Sequence, residues 1–353
     1  MAEAVAERAG RRLSGVDAFL WLLRIVLIAS IAIGAFNSLT SGRLSGQQWR
    51  DLIVFGVAQG SIYALIALGY TMVYGVLRFI NFAHGEVFMV GAMVGFVVGD
   101  PLSRTSLWTD MTVVAVVIMI VAAAAASTGT ALLLERVAYR PLRGAPRLIP
   151  FITAIGASFF LQYSVAGLFG TGFKAYPDVP GLDGAFRILG FRVLKTQSLV
   201  IVVALVAMAL LYVFVERTKA GRAIRAVSED QEIARLMGID VDRTIALVFA
   251  VGGAMAGVAG VLYGIVFGQV FFFTGFVPGI KAFTAAVLGG IGNIGGAMAG
   301  GLLLGGVESI GPSLILTGLG IPAANQLKDI VAFLTLVLVL IFRPTGILGE
   351  RLA

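Results

Sequence analysis

Residues 198–215 read SLVIVVALVAMALLYVFV, an uninterrupted apolar run without a charge, bounded by Lys195 before it and by Glu216 and Arg217 after it. A helix needs about 20 mainly apolar residues to cross the hydrocarbon core of a bilayer, and runs of this length do not belong to soluble elements. Comparable runs recur at 18–36, 52–77, 85–99, 111–134, 149–170, 245–269 and 326–342. The whole chain has the same character: of its 353 residues 59% are hydrophobic, 13% are charged and 46 are glycine. The mean hydropathy of +0.98 lies far above that of ordinary soluble domains. The expected fold is therefore all-α, a polytopic membrane protein with no room for a large soluble domain.

One apolar segment, 280–310, is broken by Gly289, Gly290, Gly292, Asn293, Gly295 and Gly296, which predicts a glycine-broken helical hairpin in the second half. If both arms span, the chain has ten transmembrane helices; if they dip and return, it has eight plus a re-entrant pair. The length of the segment slightly favours two short arms, so the expectation is about 8–10 helices. The polar start, with Arg8, Arg11 and Arg12, precedes an apolar run without a small-residue cleavage site, and so reads as a cytoplasmic segment leading into a retained first helix. Alternating sides from there puts the loops 78–84, 135–148 and 216–244 inside. Of the 26 Lys and Arg, 17 then fall inside and nine outside, Lys281 among the nine, as the positive-inside rule asks. Arg343 and Arg351 join the inner set only if the hairpin enters and leaves on the outer side. The expected division is 1–50 as the N-terminal segment with the first helix, 51–345 as the membrane domain with its cytoplasmic loop 216–244, and 346–353 as a cytoplasmic tail. The outer connection 171–197, with Pro177 and Pro180, is a docking surface or a solvated loop.

Composition also excludes. The net charge of +7 is dispersed among short connections, which fits membrane topology and lipid rather than nucleic acid. With no cysteine and His84 as the single histidine, there is no disulfide framework and no basis for a metal site. No G-x-x-x-x-G-K-[ST] occurs, so the chain has no phosphate-cradling loop; it is expected to bind no cofactor and to catalyse no reaction, any ATP and Mg residing on a partner.

The loop 216–244, ERTKAGRAIRAVSEDQEIARLMGIDVDRT, is too polar for lipid and too patterned for a linker. It predicts one or two short helices, with Ser228 as N-cap and Gln231 three residues on, then an apolar stripe of Ile233, Leu236 and Met237 ending at Gly238. Six basic and six acidic residues nearly cancel, which favours a protein partner over lipid headgroups. Such a helix suits a partner's groove, the blander alternative being a solvated connector. Elsewhere, Asn81, His84 and Glu86 of NFAHGE, at the inner end of a span, are costly in lipid and must face protein or water. His84 is a gate or pH sensor, or simply a structural hydrogen-bonding group. Tyr63, Tyr70 and Tyr74 share one helical face, as a wall of a translocation path or a subunit interface. Glu308, near the outer end of the hairpin, and Asn293, at its glycine break, are candidates for lining the path, because broken helices expose backbone groups that hold a zwitterion. The glycines that follow, including Gly296 and Gly300, allow close helix packing.

Three stretches carry a family resemblance: EDQEIARLMGID within the loop, GSIYALIALGYTMVYGVLRFINFAHGEVFMVGAMVG at 60–95, and KAFTAAVLGGIGNIGGAMAGGLLLGGVES at 281–309. The loop resembles the coupling loop of ATP-binding-cassette importer permeases, and the three together resemble the LivH-type permeases for branched-chain amino acids, over roughly residues 50–345. The resemblance implies that Arg222, Arg225, Glu229, Asp230, Ala234 and Gly238 lie in or beside an ATPase-coupling helix, although the strict EAA triplet is missing. It further implies a second, LivM-like permease, two cytoplasmic ATPases and an extracytoplasmic binding protein, in the inner membrane of a bacterium with both termini cytoplasmic. Permeases for urea and short amides share the family. From another class, an ion-coupled secondary transporter would need carboxylates deep within spans, for which only Glu86 and Glu308 are eligible; a passive channel would need a filter motif that is not visible.

Overall fold

The computed structural model describes residues 15–146, 148–343 and 345–349, and of residues 15–20 and 342 the backbone only. Arg8, Arg11, Arg12, Arg147 and Arg351 thus lie outside the described residues. The helices are α1 (Gly15–Thr40), α2 (Gly46–Leu77), α3 (His84–Leu102), the single turn α4 (Ser106–Asp110), α5 (Thr112–Leu134), α6 (Leu148–Phe169), α7 (Lys195–Arg217), α8 (Lys219–Glu229), α9 (Gln231–Leu236), α10 (Val241–Phe267), α11 (Phe276–Gly289), α12 (Ile294–Gly311) and α13 (Lys328–Phe342). Among the described residues nine helices are long and apolar enough to cross a membrane, with α11 a tenth, shorter one. The chain is an all-α polytopic membrane protein. Two small ribbons accompany the helices: β1 (Lys174–Ala175) pairs with β4 (Gln269–Val270), and β2 (Ala185–Ile188) with β3 (Phe191–Leu194).

The hairpin exists but is lopsided. The α11 arm has 14 residues, about 21 Å at 1.5 Å per residue and too short to cross, whereas α12 continues through a π-turn to Leu316 and is long enough. Two equal short arms do not form because β4 and the turn at Thr274 hold residues 269–275 out of helix, so α11 begins only at Phe276. At the break, Asn293 accepts a hydrogen bond from Gly296 N–H and caps α12.

The long α2 is buried along most of its length and forms the centre of the bundle, against α12 on one side and α10 and α11 on others. Close approach to α12 needs bare backbone: a Cβ on Gly305 would collide with Gly60. Helix α10 packs in turn on α5 and α3, where Gly257 lies against the backbone of Ala123 and Ala124. Helix α1 stands apart, exposed over most of its apolar length. Residues 78–83, 140–146, 218–240 and 290–293 gather at one end of the bundle, here called the loop end. There Gln231 donates to Val76 O, Arg78 to Ser228 O, and the backbone N–H groups of Ile347 and Leu348 to Leu288 O and Gly289 O.

Candidate functional site: a cavity, an ion cluster and an exposed helix

Two helices of the bundle begin against each other. The loop 79–83 turns α2 into α3, and the turn after β4 starts α11; Gly85, Gly275 and Gly279 let the two first turns meet with no side chain between them. Neither α3 nor α11 carries a side-chain N-cap. Beside this junction lies a cavity of about 230 Å³, walled by Phe82, Phe151, Ile155, Phe159 and Phe276, with Tyr70 behind it and Glu86 and Ser158 as its polar side chains. Phe82 packs edge-on against Phe151, with ring centroids 5.6 Å apart. Phe159 and Phe276, on the rim, are exposed.

Glu86 is the third residue of α3 and 1% exposed. Its Oε1 accepts from Gln162 Nε2 at 2.6 Å and from Ser158 Oγ at 3.4 Å, while Oε2 has no hydrogen-bond partner. Ser158 and Gln162 stand one turn apart in the middle of α6, so Glu86, in the first turn of α3, lies within the bundle. A charge at the bilayer centre costs about 2.5–3.5 kcal/mol on insertion scales, so Glu86 is held at a position that apolar packing alone would not select.

The other candidates separate. His84 packs edge-to-face on Tyr70, with centroids 4.9 Å apart, in a slot that exists because residue 69 is glycine, and its Nε2 has no hydrogen-bond partner. Asn81 Oδ1 accepts from Tyr139 O–H at 2.6 Å and from Ala83 N–H, fixing the turn into α3. Tyr74 borders only a crevice of about 10 Å³. Asn293 is a helix cap whose Nδ2 donates to Leu348 O, and it lines no part of the cavity.

Tyr63 and Glu308 do not line this cavity but join an ion cluster. Lys281 Nζ on α11 pairs with Glu308 Oε1 of α12 at 2.6 Å and with Asp329 Oδ1 of α13 at 2.7 Å, and Lys328 Nζ approaches Glu308 at 3.8 Å. Tyr63 O–H donates to Glu308 Oε2 at 2.9 Å and accepts from Gln59 Nε2 at 2.6 Å. Lys281 is 3% exposed, so its assignment to the outer surface is corrected: its two carboxylate partners hold it inside the bundle. The missed members were signalled in part. Lys281 stands alone in an apolar stretch, and an intramembrane charge calls for a partner; Ser158 and Gln162 are polar at i and i+4 of an apolar span.

At the loop end, α8 and α9 form a bracket. The N-cap of α9 is Asp230, not Ser228: its Oδ1 accepts from Glu232 N–H and Ile233 N–H. Ser228 stays inside α8 because its hydroxyl donates back to Arg225 O, satisfying itself within the helix. Arg225 donates to Val215 O and Glu216, Ala234 is buried, and Arg222 and Glu229 are exposed. Gly238, with φ +83°, ends α9. Ile233, Leu236 and Met237 are 60%, 86% and 78% exposed, an apolar stripe with nothing on it. Behind the bracket, Arg143 joins Glu135 and Asp242, and Arg140 joins Asp242 at 2.6 Å.

A family described as the branched-chain amino acid transport system permease component matches residues 52–340, from within α2 to the end region of α13. The chain belongs to this family. The high-affinity branched-chain amino acid transport system permease protein BraD of Pseudomonas aeruginosa is 47% identical over 301 residues, covering 84% of this chain and 95% of its own length. The corresponding LivH of Escherichia coli K12 is 44% identical over 298 residues, covering 84% and 94%. A probable LivH of Methanocaldococcus jannaschii is 27% identical over 305 residues, covering 83% and 90%. The matched residues 52–340 include the whole stretch that builds the cavity, the ion cluster and the α8–α9 bracket.

Proposed function

We propose that this permease is one membrane-spanning subunit of an importer driven by separate ATPases, and that it carries branched-chain amino acids. The observation that supports the coupling is the exposed stripe of Ile233, Leu236 and Met237 on a bracket tied by Gln231 and Arg78 to the end of α2. A partner that grips the stripe moves α2 and, through the short turn 79–83, the start of α3 beside the cavity. The solute is inferred from the relatives' names together with the apolar walls of that cavity. We read the loop end as cytoplasmic from its basic residues; in this reading both termini are cytoplasmic and the ribbon β2–β3, with Leu189 exposed at its tip, faces an extracytoplasmic binding protein. A second, related permease completes the path, and ATP and Mg belong to two cytoplasmic ATPases.

The test is ATP hydrolysis in proteoliposomes holding the permease with the ATPase and second permease that co-purify, with leucine-, valine- or urea-loaded binding protein added outside. Stimulation by an aliphatic amino acid is expected. Stimulation by urea alone moves the solute to amides, and uptake driven by an ion gradient without a co-purifying ATPase replaces the proposal with secondary transport.

A further inference from the structure

The described residues contain three buried glutamates within the bundle or at its loop end, and they are satisfied differently. Glu308 has Lys281 and Glu135 has Arg143; Glu86 has only neutral partners, and one of its oxygens has none. A buried charge is stable when it is paired and fully hydrogen-bonded. The unpartnered oxygen belongs to a residue lining a cavity of about 230 Å³ that is otherwise aromatic and aliphatic. That volume lies just below the roughly 300 Å³ at which sites for drug-sized ligands begin, and is the scale of one small metabolite. Glu86 Oε2 is itself buried, against the bare backbone of Gly275, so no side chain stands between it and the start of α11.

We infer that Glu86 is the ammonium-recognising residue of a solute station in this cavity: the α-ammonium of an aliphatic amino acid binds Glu86 Oε2, and its side chain lies between Phe82, Phe151 and Ile155. Gln162 and Ser158 are the positioning residues, holding Oε1 so that Oε2 turns toward the cavity. The start of α11 beside Gly275, which has no side-chain cap, receives the solute's carboxylate. This chemistry selects a primary ammonium with a branched aliphatic tail over urea, which carries no charge, and over the corresponding fatty acid. The inference rests on the reading of the chain as an amino acid permease and adds the residue that recognises the solute.

Two variants test it in the assembled complex. Glu86→Gln keeps the acceptor for Gln162 and replaces the free oxygen by an amide NH2, so leucine uptake is expected to fall at least tenfold in complexes that still co-elute intact. Because the chain has no cysteine, Phe159→Cys places its single thiol on the cavity rim. Leucine is expected to slow maleimide labelling of that thiol several-fold, 4-methylpentanoate to leave it unchanged, and Glu86→Gln in the same background to abolish the protection. If unmodified complexes take up leucine but the thiol is unprotected, or is protected equally by 4-methylpentanoate, or if Glu86→Gln transports within twofold, the station is wrong and the permease reading stands. If unmodified complexes take up no branched-chain amino acid, the permease reading itself fails.

Discussion

Lys281 shows how a single side chain can be misplaced by a rule that is correct on average. Counting cations by loop assigns it to the outer surface, yet it is buried on α11 between Glu308 and Asp329. Breaking such a pair from one side leaves an uncompensated charge, at a cost of about 3–5 kcal/mol. Lys281→Met is therefore expected to lower the thermal midpoint of the purified permease, measured by tryptophan fluorescence in detergent, and the double variant Lys281→Met/Glu308→Gln to recover part of the loss; equal midpoints for all three proteins would show that the cluster holds nothing together. Asn81, His84 and Glu86 were legible as residues that must face protein or water, because lipid would not tolerate them. Their partners were not, since Gln162 lies 76 positions from Glu86 and no local pattern joins them.

Helices were read more surely than their ends. The long apolar runs all form helices, because about 20 apolar residues in lipid have no other way to satisfy their backbone groups. The α8–α9 bracket was visible as polar sequence with an apolar stripe, but its break fell two residues later than expected, at Asp230, where a carboxylate caps two N–H groups and a serine would cap fewer. Asp230→Ala is expected to destabilise α9 by about 1 kcal/mol, read as faster amide hydrogen exchange across 231–236 with the bundle unaffected. Leu236→Asp should leave the thermal midpoint unchanged, as the residue is 86% exposed, while abolishing co-purification of the ATPase; an ATPase retained at the unmodified level would mean that the stripe docks nothing. The unequal hairpin was the element least open to prediction, because the ribbon that delays α11 pairs Gln269–Val270 with Lys174–Ala175, nearly a hundred residues earlier.

For the whole molecule, the absence of cysteine makes sidedness directly measurable. A thiol at Leu236→Cys and one at Leu189→Cys occupy opposite ends of the bundle, both on exposed side chains. In intact spheroplasts a membrane-impermeant maleimide is expected to label Leu189→Cys and spare Leu236→Cys, and in inverted vesicles the reverse; the opposite result would invert the topology. Helix α1 carries a consequence of another kind. Its polar anchor is at its end, where Ser38 donates to Ser313 O and Asn37 Nδ2 to Gly318 O. A ribosome adding about 5–20 residues per second reaches Ser313 some 275 positions after Ser38, roughly 15–55 s later. For that interval these two contacts cannot form, so during biogenesis this end of α1 waits in lipid, or beside the insertion machinery, for residues 313–318 to arrive.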